Sequence, residues 1–203
     1  RLVGIVTFDD AMDVMEDEAT EDMEKMAAML PSEHPYMRST PIEIWKNRIP
    51  WLLLLMVSAT LTGIVITRFE NSLAALPCLT AFIPMLMDTG GNSGSQSSVT
   101  VIRALSLGEL EFRDLPLVIW KEIRIAFCIS IILSVVNGIR IMLMGQGDAM
   151  MAFTIGLTMA CTVLIAKVVG CTLPLIAKKI GLDPAIMATP LISTCLLYTS
   201  PSP

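Results

Sequence analysis

The residues most able to do chemistry lie in one polar run, Asp88-Thr-Gly-Gly-Asn-Ser-Gly-Ser-Gln-Ser-Ser98, set inside an otherwise apolar stretch. A charge at membrane depth is costly, so an ionisable residue there is a functional candidate by default. Asp88 stands just before two glycines, and Asn92, Ser95, Gln96, Ser97 and Ser98 follow closely. Gly90, Gly91 and Gly94 allow backbone conformations that turn carbonyls and amides inward. Together these groups offer oxygen ligands and amides that bind water, a set suited to hard cations such as Mg²⁺ and Ca²⁺. Mg²⁺ gives up its water reluctantly, so Asp88 and Asn92 are candidates to hold the hydrated ion through its waters. Gly90, Gly91, Gly94 and Gln96 would shape the path. The competing reading is a helix–helix contact, because Gly and Ser let membrane helices pack closely.

A second candidate opens the chain. Nine of the 19 acids fall within residues 1–24, with Arg1 the only base there. Thr7 and Asp10 form a capping-box-like helix start. Met12, Met15, Ala19, Met23 and Met26 then recur at helical steps along one apolar face. Asp9, Asp13, Asp17 and Glu21 stack at i, i+4, where like charges destabilise a lone helix. Such a face is either simply solvated or a site for a hard divalent cation.

The elements that must position these groups are read from composition. Of 203 residues, 54% are hydrophobic and 16% charged, and the mean hydropathy is +0.68. A soluble domain keeps about a quarter of its residues charged. This composition also excludes disorder, and five scattered cysteines exclude a disulfide-stapled module. A net charge of −5 supplies no basic stripe for nucleic acid. HExxH, GxSxG and P-loop patterns are missing, and the single histidine, His34, lies in a proline-rich linker, so no enzyme is expected. What remains is an all-α polytopic membrane protein in a lipid bilayer.

Ile49–Thr67 reads as a first span between Arg48 and Arg68, with Pro50 in its first turn. Leu73–Leu105 is a second, carrying the polar run. Leu117–Met144 is a third, entered through Lys121, Glu122 and Arg124. Ala149–Ala177 is a fourth, with Lys167 and Pro174 inside it. A fifth, incomplete, starts at Asp183-Pro184 and runs to Leu197. Leu2–Thr7 reads as a short buried strand before the acidic helix. With the N terminus inside, loops on that side hold 11 Lys and Arg against 2 on the other, Lys167 being left out. The positive-inside rule then puts the N terminus in the cytoplasm. No signal peptide opens the chain, and the missing initiating Met suggests a piece of a longer protein.

Three stretches together resemble the MgtE family of magnesium transporters. They are Pro84–Ser98 continuing through Ile102-Arg-Ala-Leu-Ser-Leu-Gly-Glu109, Gly181-Leu-Asp-Pro-Ala-Ile-Met-Ala-Thr-Pro190, and the opening Arg1–Asp10 with Glu18-Ala-Thr-Glu-Asp22. The match is collinear over roughly residues 1–195. The resemblance implies a homodimer in the bacterial inner membrane with a channel-like Mg²⁺ pore on its axis. Residues 1–30 would be the end of a CBS domain and an acidic connecting helix, 31–48 a linker, 49–197 the ion-conducting domain and 198–203 an atypical tail. By matching position, Asp10, Asp13, Glu18, Glu21 and Asp22 would belong to acidic clusters that sense cytosolic Mg²⁺ and gate the pore. Glu122 and Asp183 match acids near the cytosolic side of the membrane domain. Mg²⁺ would thus be both transported and regulatory. The family's pore aspartate in the last helix falls on Leu197 here, and the tail departs from the family as if truncated. The alternatives are a transporter of another divalent ion (Co²⁺, Mn²⁺ or Ca²⁺) and a non-conducting, Mg²⁺-sensing membrane piece.

Overall fold

The computed structural model describes residues 4–32, 36–69, 80–145 and 148–187. Among these every regular element is helical: α1 (Phe8–Met26), α2 (Pro41–Arg68), α3 (Ile83–Ser106), α4 (Leu115–Leu143) and α5 (Ala149–Lys179), with short 3-10 turns at Phe112–Asp114 and Pro184–Met187. The strand expected over Leu2–Thr7 does not appear in its described part. Gly4–Thr7 is irregular and exposed, and a lone strand with no neighbour has nothing to take its hydrogen bonds. Leu2 and Val3 lie outside the described residues, as do His34 and most of the expected fifth span.

Among the described residues three stretches are long and apolar enough to cross a membrane: Pro41–Arg68, Phe112–Leu143 and Ala149–Lys179. The first span is longer than expected. Thr40 caps it, its hydroxyl accepting from the Glu43 amide, and Pro41 takes the first helical position. Pro50 therefore sits inside the helix rather than in its first turn. The reason is that Pro41 already fills the position where a missing N–H costs nothing, and a membrane helix tolerates one interior proline. Leu52, Leu53, Leu54, Met56 and Val57 remain exposed on it, a surface suited to hydrocarbon.

The second expected span holds the larger correction. Residues 88–98 are not an irregular break but the middle of α3. Their amides and carbonyls are spent on the helix, as they must be in lipid, where no water satisfies an open backbone. The glycines serve a different end. A Cβ on Gly170 would overlap the Gly94 carbonyl, and one on Gly90 would come within 2.8 Å of Thr162 Cγ2. Here α3 and α5 approach almost backbone to backbone, so the close-packing reading is right for Gly90 and Gly94.

The core is a three-helix bundle of α3, α4 and α5 in apolar layers. At one end Phe82, Ile141, Ala152 and Ile155 pack together. Ala126, Met159 and Val163 fill the middle, and Val101, Leu105, Val118, Cys171 and Leu175 fill the other end. At that last end Lys178 Nζ donates to the Leu105 carbonyl at 3.2 Å, and Lys179 lies 4.1 Å from the Phe112 ring centroid. Gly181, at φ +80, lets the chain turn off α5. Its neighbour Leu182 donates to the Ala177 carbonyl at 2.9 Å, closing the helix in the usual left-handed manner.

Gly170→Ala should lower stability by about 1–3 kcal/mol, because the α3–α5 contact cannot open locally. Gly138→Ala, with no atom within 4 Å of the added carbon, should stay within about 1 kcal/mol of the parent or gain. Thermal unfolding of both in detergent checks the pair, and equal melting shifts would contradict the close approach.

Candidate functional site

The outer face of α3 is the first site. Asp88, Asn92, Gln96 and Thr100 are all exposed, at successive four-residue steps. At 1.5 Å per residue they form a polar stripe roughly 18 Å long. Asn92 Nδ2 donates to Asp88 Oδ2 at 3.1 Å, leaving the second carboxylate oxygen and the Asn92 carbonyl for an incoming ligand. The inner face of the same helix is buried: Gly90, Gly91, Ser93, Gly94, Ser97 and Ser98. Thus the sequence candidates divide. Asp88, Asn92 and Gln96 face outward, while Gly90, Gly91 and Gly94 shape the packing behind them.

A second site lies at the α1 end of the bundle. Glu18, Glu21, Asp22 and Asp183 line one cavity of about 400 Å³ together with Lys25, Lys178 and the last turn of α3. Lys25 Nζ is 2.5 Å from both Glu21 Oε1 and Asp183 Oδ2, bridging α1 to the turn after α5. Asp183 also accepts the Ala185 amide at 2.9 Å. Burial alone would raise the Asp183 pKa, but the Lys25 hydrogen bond and the Ala185 amide outweigh it and hold the carboxyl below its ordinary value. Asp22 goes the other way, pushed up by burial and by the neighbouring Asp183 charge. Lys25 is raised above its ordinary value by hydrogen bonds to Asp183 and Glu21.

Asp10 and Asp13 are not part of this cavity. Asp10 is spent on the cap of α1, its Oδ2 accepting the Thr7 amide at 2.8 Å and the Thr7 hydroxyl at 2.6 Å. The capping expectation for Thr7 and Asp10 is met. Asp13 is exposed further along the same helix, and the apolar positions Met12, Met15 and Met23 are exposed too. Among the described residues no three His, Cys, Asp or Glu side chains converge closely enough to ligate a metal directly. The oxygen-rich cavity suits a hydrated hard cation, held through its waters, better than a bare one.

Glu122 is placed elsewhere. It is buried in the bundle, where its Oε2 accepts the Ser97 hydroxyl at 2.6 Å and faces Lys167 Nζ at 3.4 Å. Lys167 also donates to Ser97 Oγ at 3.0 Å. One residue from each of α3, α4 and α5 therefore meets in a single network. Reading the sequence left Lys167 unassigned, although an ionisable residue within a span signals that an opposite charge must be near. Lys25 was missed as well, hidden among the acids that surround it.

The sequence profile of the MgtE family, described as a divalent cation transporter, matches residues 83–196. The chain belongs to the MgtE family. A magnesium transporter MgtE of Thermus thermophilus is 35% identical over 198 residues, covering 96% of this chain and 43% of the relative. One of Bacillus subtilis is 36% identical over 193 residues, covering 95% and 42%. One of Enterococcus faecalis is 30% identical over 203 residues, covering 98% and 43%. The chain thus spans less than half the length of these MgtE relatives.

The charge state of the α1 cavity can be tested by pH. A depressed carboxyl adds stability above its unfolded value, about 3.9, and loses it as pH falls through the lowered value. The Asp183 contribution to α1 docking is therefore present at neutral pH and lost in acid. Asp22 has the opposite sign, its charge opposing docking until it is protonated. Asp183→Asn should speed proteolysis within α1 at pH 7, and the difference from the parent should shrink as pH falls below about 4. A difference that persists in acid would mean that the carboxylate charge does not hold α1.

Proposed function

We propose that the chain is the membrane part, with the adjoining sensor helix, of a magnesium transporter. The polar stripe on α3 carries this reading. Asp88, Asn92, Gln96 and Thr100 face out of the bundle rather than into it. In a bilayer such a face is tolerated only against protein or a water-filled cavity. A second copy of the chain, with the stripes facing one another across a two-fold axis, satisfies that need and encloses a hydrated path. Asp88 attracts the cation, and the Asn92 and Gln96 amides accept or donate to its waters. An ion that keeps its water shell suits such widely spaced ligands, which favours Mg²⁺.

The cavity at the other end supplies regulation. In this reading α1 lies in the cytoplasm of a bacterial cell, with the chain in the inner membrane. Four carboxylates face two lysines there, and burial together with the neighbouring Asp183 charge makes the Asp22 carboxylate the costly one to keep ionised. A hydrated divalent cation relieves that repulsion and favours the docked position of α1. A ligand with different affinity for two states shifts their populations, which is feedback by the transported ion.

The test is Mg²⁺ uptake by the full-length protein in liposomes. Asp88→Ala should reduce uptake by about tenfold or more, because an intramembrane charge on an ion path is hard to replace. Glu18→Ala/Glu21→Ala/Asp22→Ala should conduct but ignore Mg²⁺ on the cytoplasmic side. Undiminished uptake by Asp88→Ala would remove the stripe from the path. Competition that favours Co²⁺, Mn²⁺ or Ca²⁺ over Mg²⁺ would change the cargo and leave the path.

A further inference from the structure

The network of Ser97, Glu122 and Lys167 does more than satisfy two charges. We infer that Ser97, held by the Glu122–Lys167 pair, is a positioning residue that sets the rotation of α3 and so aims its polar stripe at the ion path. This inference rests on the reading of the stripe as that path.

Around Ser97 no large side chain of α3 interlocks with its neighbours to fix rotation, and the apolar anchors Val101 and Leu105 lie further along the helix. From Gly90 to Ser98 its buried face is made of glycines and serines, which are nearly equal in size, while Val101, Ile102 and Leu105 are buried nearer its C-terminal end. Small residues fix how closely two membrane helices approach, and hydrocarbon supplies no hydrophobic drive to choose among rotations. A hydrogen bond is directional and decays steeply once misaligned. Ser97 makes two, donating to Glu122 at 2.6 Å and accepting from Lys167 at 3.0 Å. Ser97 is 2% exposed and Lys167 3%, so no water competes for them.

The geometry ties this anchor to the stripe. Gln96, in the stripe, is the residue next to Ser97, about 100° away around the helix. Asn92 lies one turn above Gln96 and Thr100 one turn below. Turning α3 by one residue would carry the whole stripe off its line. Glu122 and Lys167 also meet directly across α4 and α5, at 3.4 Å. Removing the Ser97 hydroxyl therefore releases α3 alone and leaves the ion pair in place.

The experiment uses the full-length protein with its native cysteines replaced by alanine. Single cysteines at Asn92→Cys, Gln96→Cys and Ser93→Cys are labelled by a charged, membrane-impermeant thiol reagent. The expected pattern is fast labelling at 92 and 96 and protection at 93. Adding Ser97→Ala should reduce that contrast severalfold with little change in melting temperature. In the protein without added cysteines, Ser97→Ala should lower Mg²⁺ uptake by about tenfold, the scale of a small misplacement in a constrained site. Ser97→Thr, which keeps the hydroxyl, should restore both. Unchanged contrast and uptake in Ser97→Ala would overturn the positioning role while leaving the path intact. Equal labelling at 92, 96 and 93 before Ser97 is altered would overturn path and positioning together. Loss of folded protein in both Ser97→Ala and Ser97→Thr would make the position one of folding rather than aim, and would also overturn the inference.

Discussion

A lysine and a glutamate buried in the middle of a membrane bundle must find each other, and the rest of this structure is arranged around that need. Lys167 is 3% exposed and Glu122 8%. A buried pair that loses one partner leaves an uncompensated charge at a cost of about 3–5 kcal/mol. An ordinary hydrogen bond between membrane helices contributes on average only ~0.6 kcal/mol. The pair therefore penalises any arrangement that parts α4 from α5, while the glycine contacts set how closely α3 meets α5. It also sits between two apolar layers, with Val118 and Cys171 on one side and Ala126 and Val163 on the other, which keeps water from weakening it.

The polar run in α3 shows what the sequence can and cannot say. Its residue types were read as ion ligands or as a packing surface, and the structure buries the glycines on one face of a helix while Asp88, Asn92 and Gln96 lie exposed on another. The continuity of that helix was not legible. In water a run with three glycines and four serines is a loop, because those side chains compete with the backbone or release it. At membrane depth the alternative to a helix is an unsatisfied backbone, so the penalty for leaving it outweighs the propensity. The serine hydroxyls then turn to the helix itself, as Ser95 does in donating to the Gly91 carbonyl at 2.8 Å.

The acidic helix divides in a similar way. Glu18, Glu21 and Asp22 precede Asp183 by at least 161 residues, yet all four line one cavity. Their choice came from family likeness, not from spacing, and the meeting of Asp183 with the α1 acids was legible in neither. Asp10 was legible as a cap, and that use accounts for its geometry without a ligand. Lys25 was not legible, because one base among many acids looks like an ordinary i, i+4 partner for Glu21. Its second bond, to Asp183, joins elements 158 residues apart. Only the fold could show that this ammonium serves two elements at once.

The two sites share α3, and this connects them physically. Ile102, Leu105 and Ser106, in its last turns, form part of the wall of the acidic cavity. Asp88, Asn92 and Gln96 stand on the same helix further up. A continuous helix is stiff over such a distance, so a displacement at the cavity reaches the stripe as a movement of the whole rod. A rod can tilt, slide or turn, and the three have different consequences for ligands on one face. The tie at Ser97 opposes turning, and the Lys178 bond to the Leu105 carbonyl opposes sliding at the cavity end. Tilt about the close contacts of Gly90 and Gly94 is the motion left least constrained. On the proposed reading, docking of α1 changes the separation of two stripes across the axis rather than the ligands each presents. A hydrated ion is sensitive to that separation, because its water shell sets a minimum width for the path.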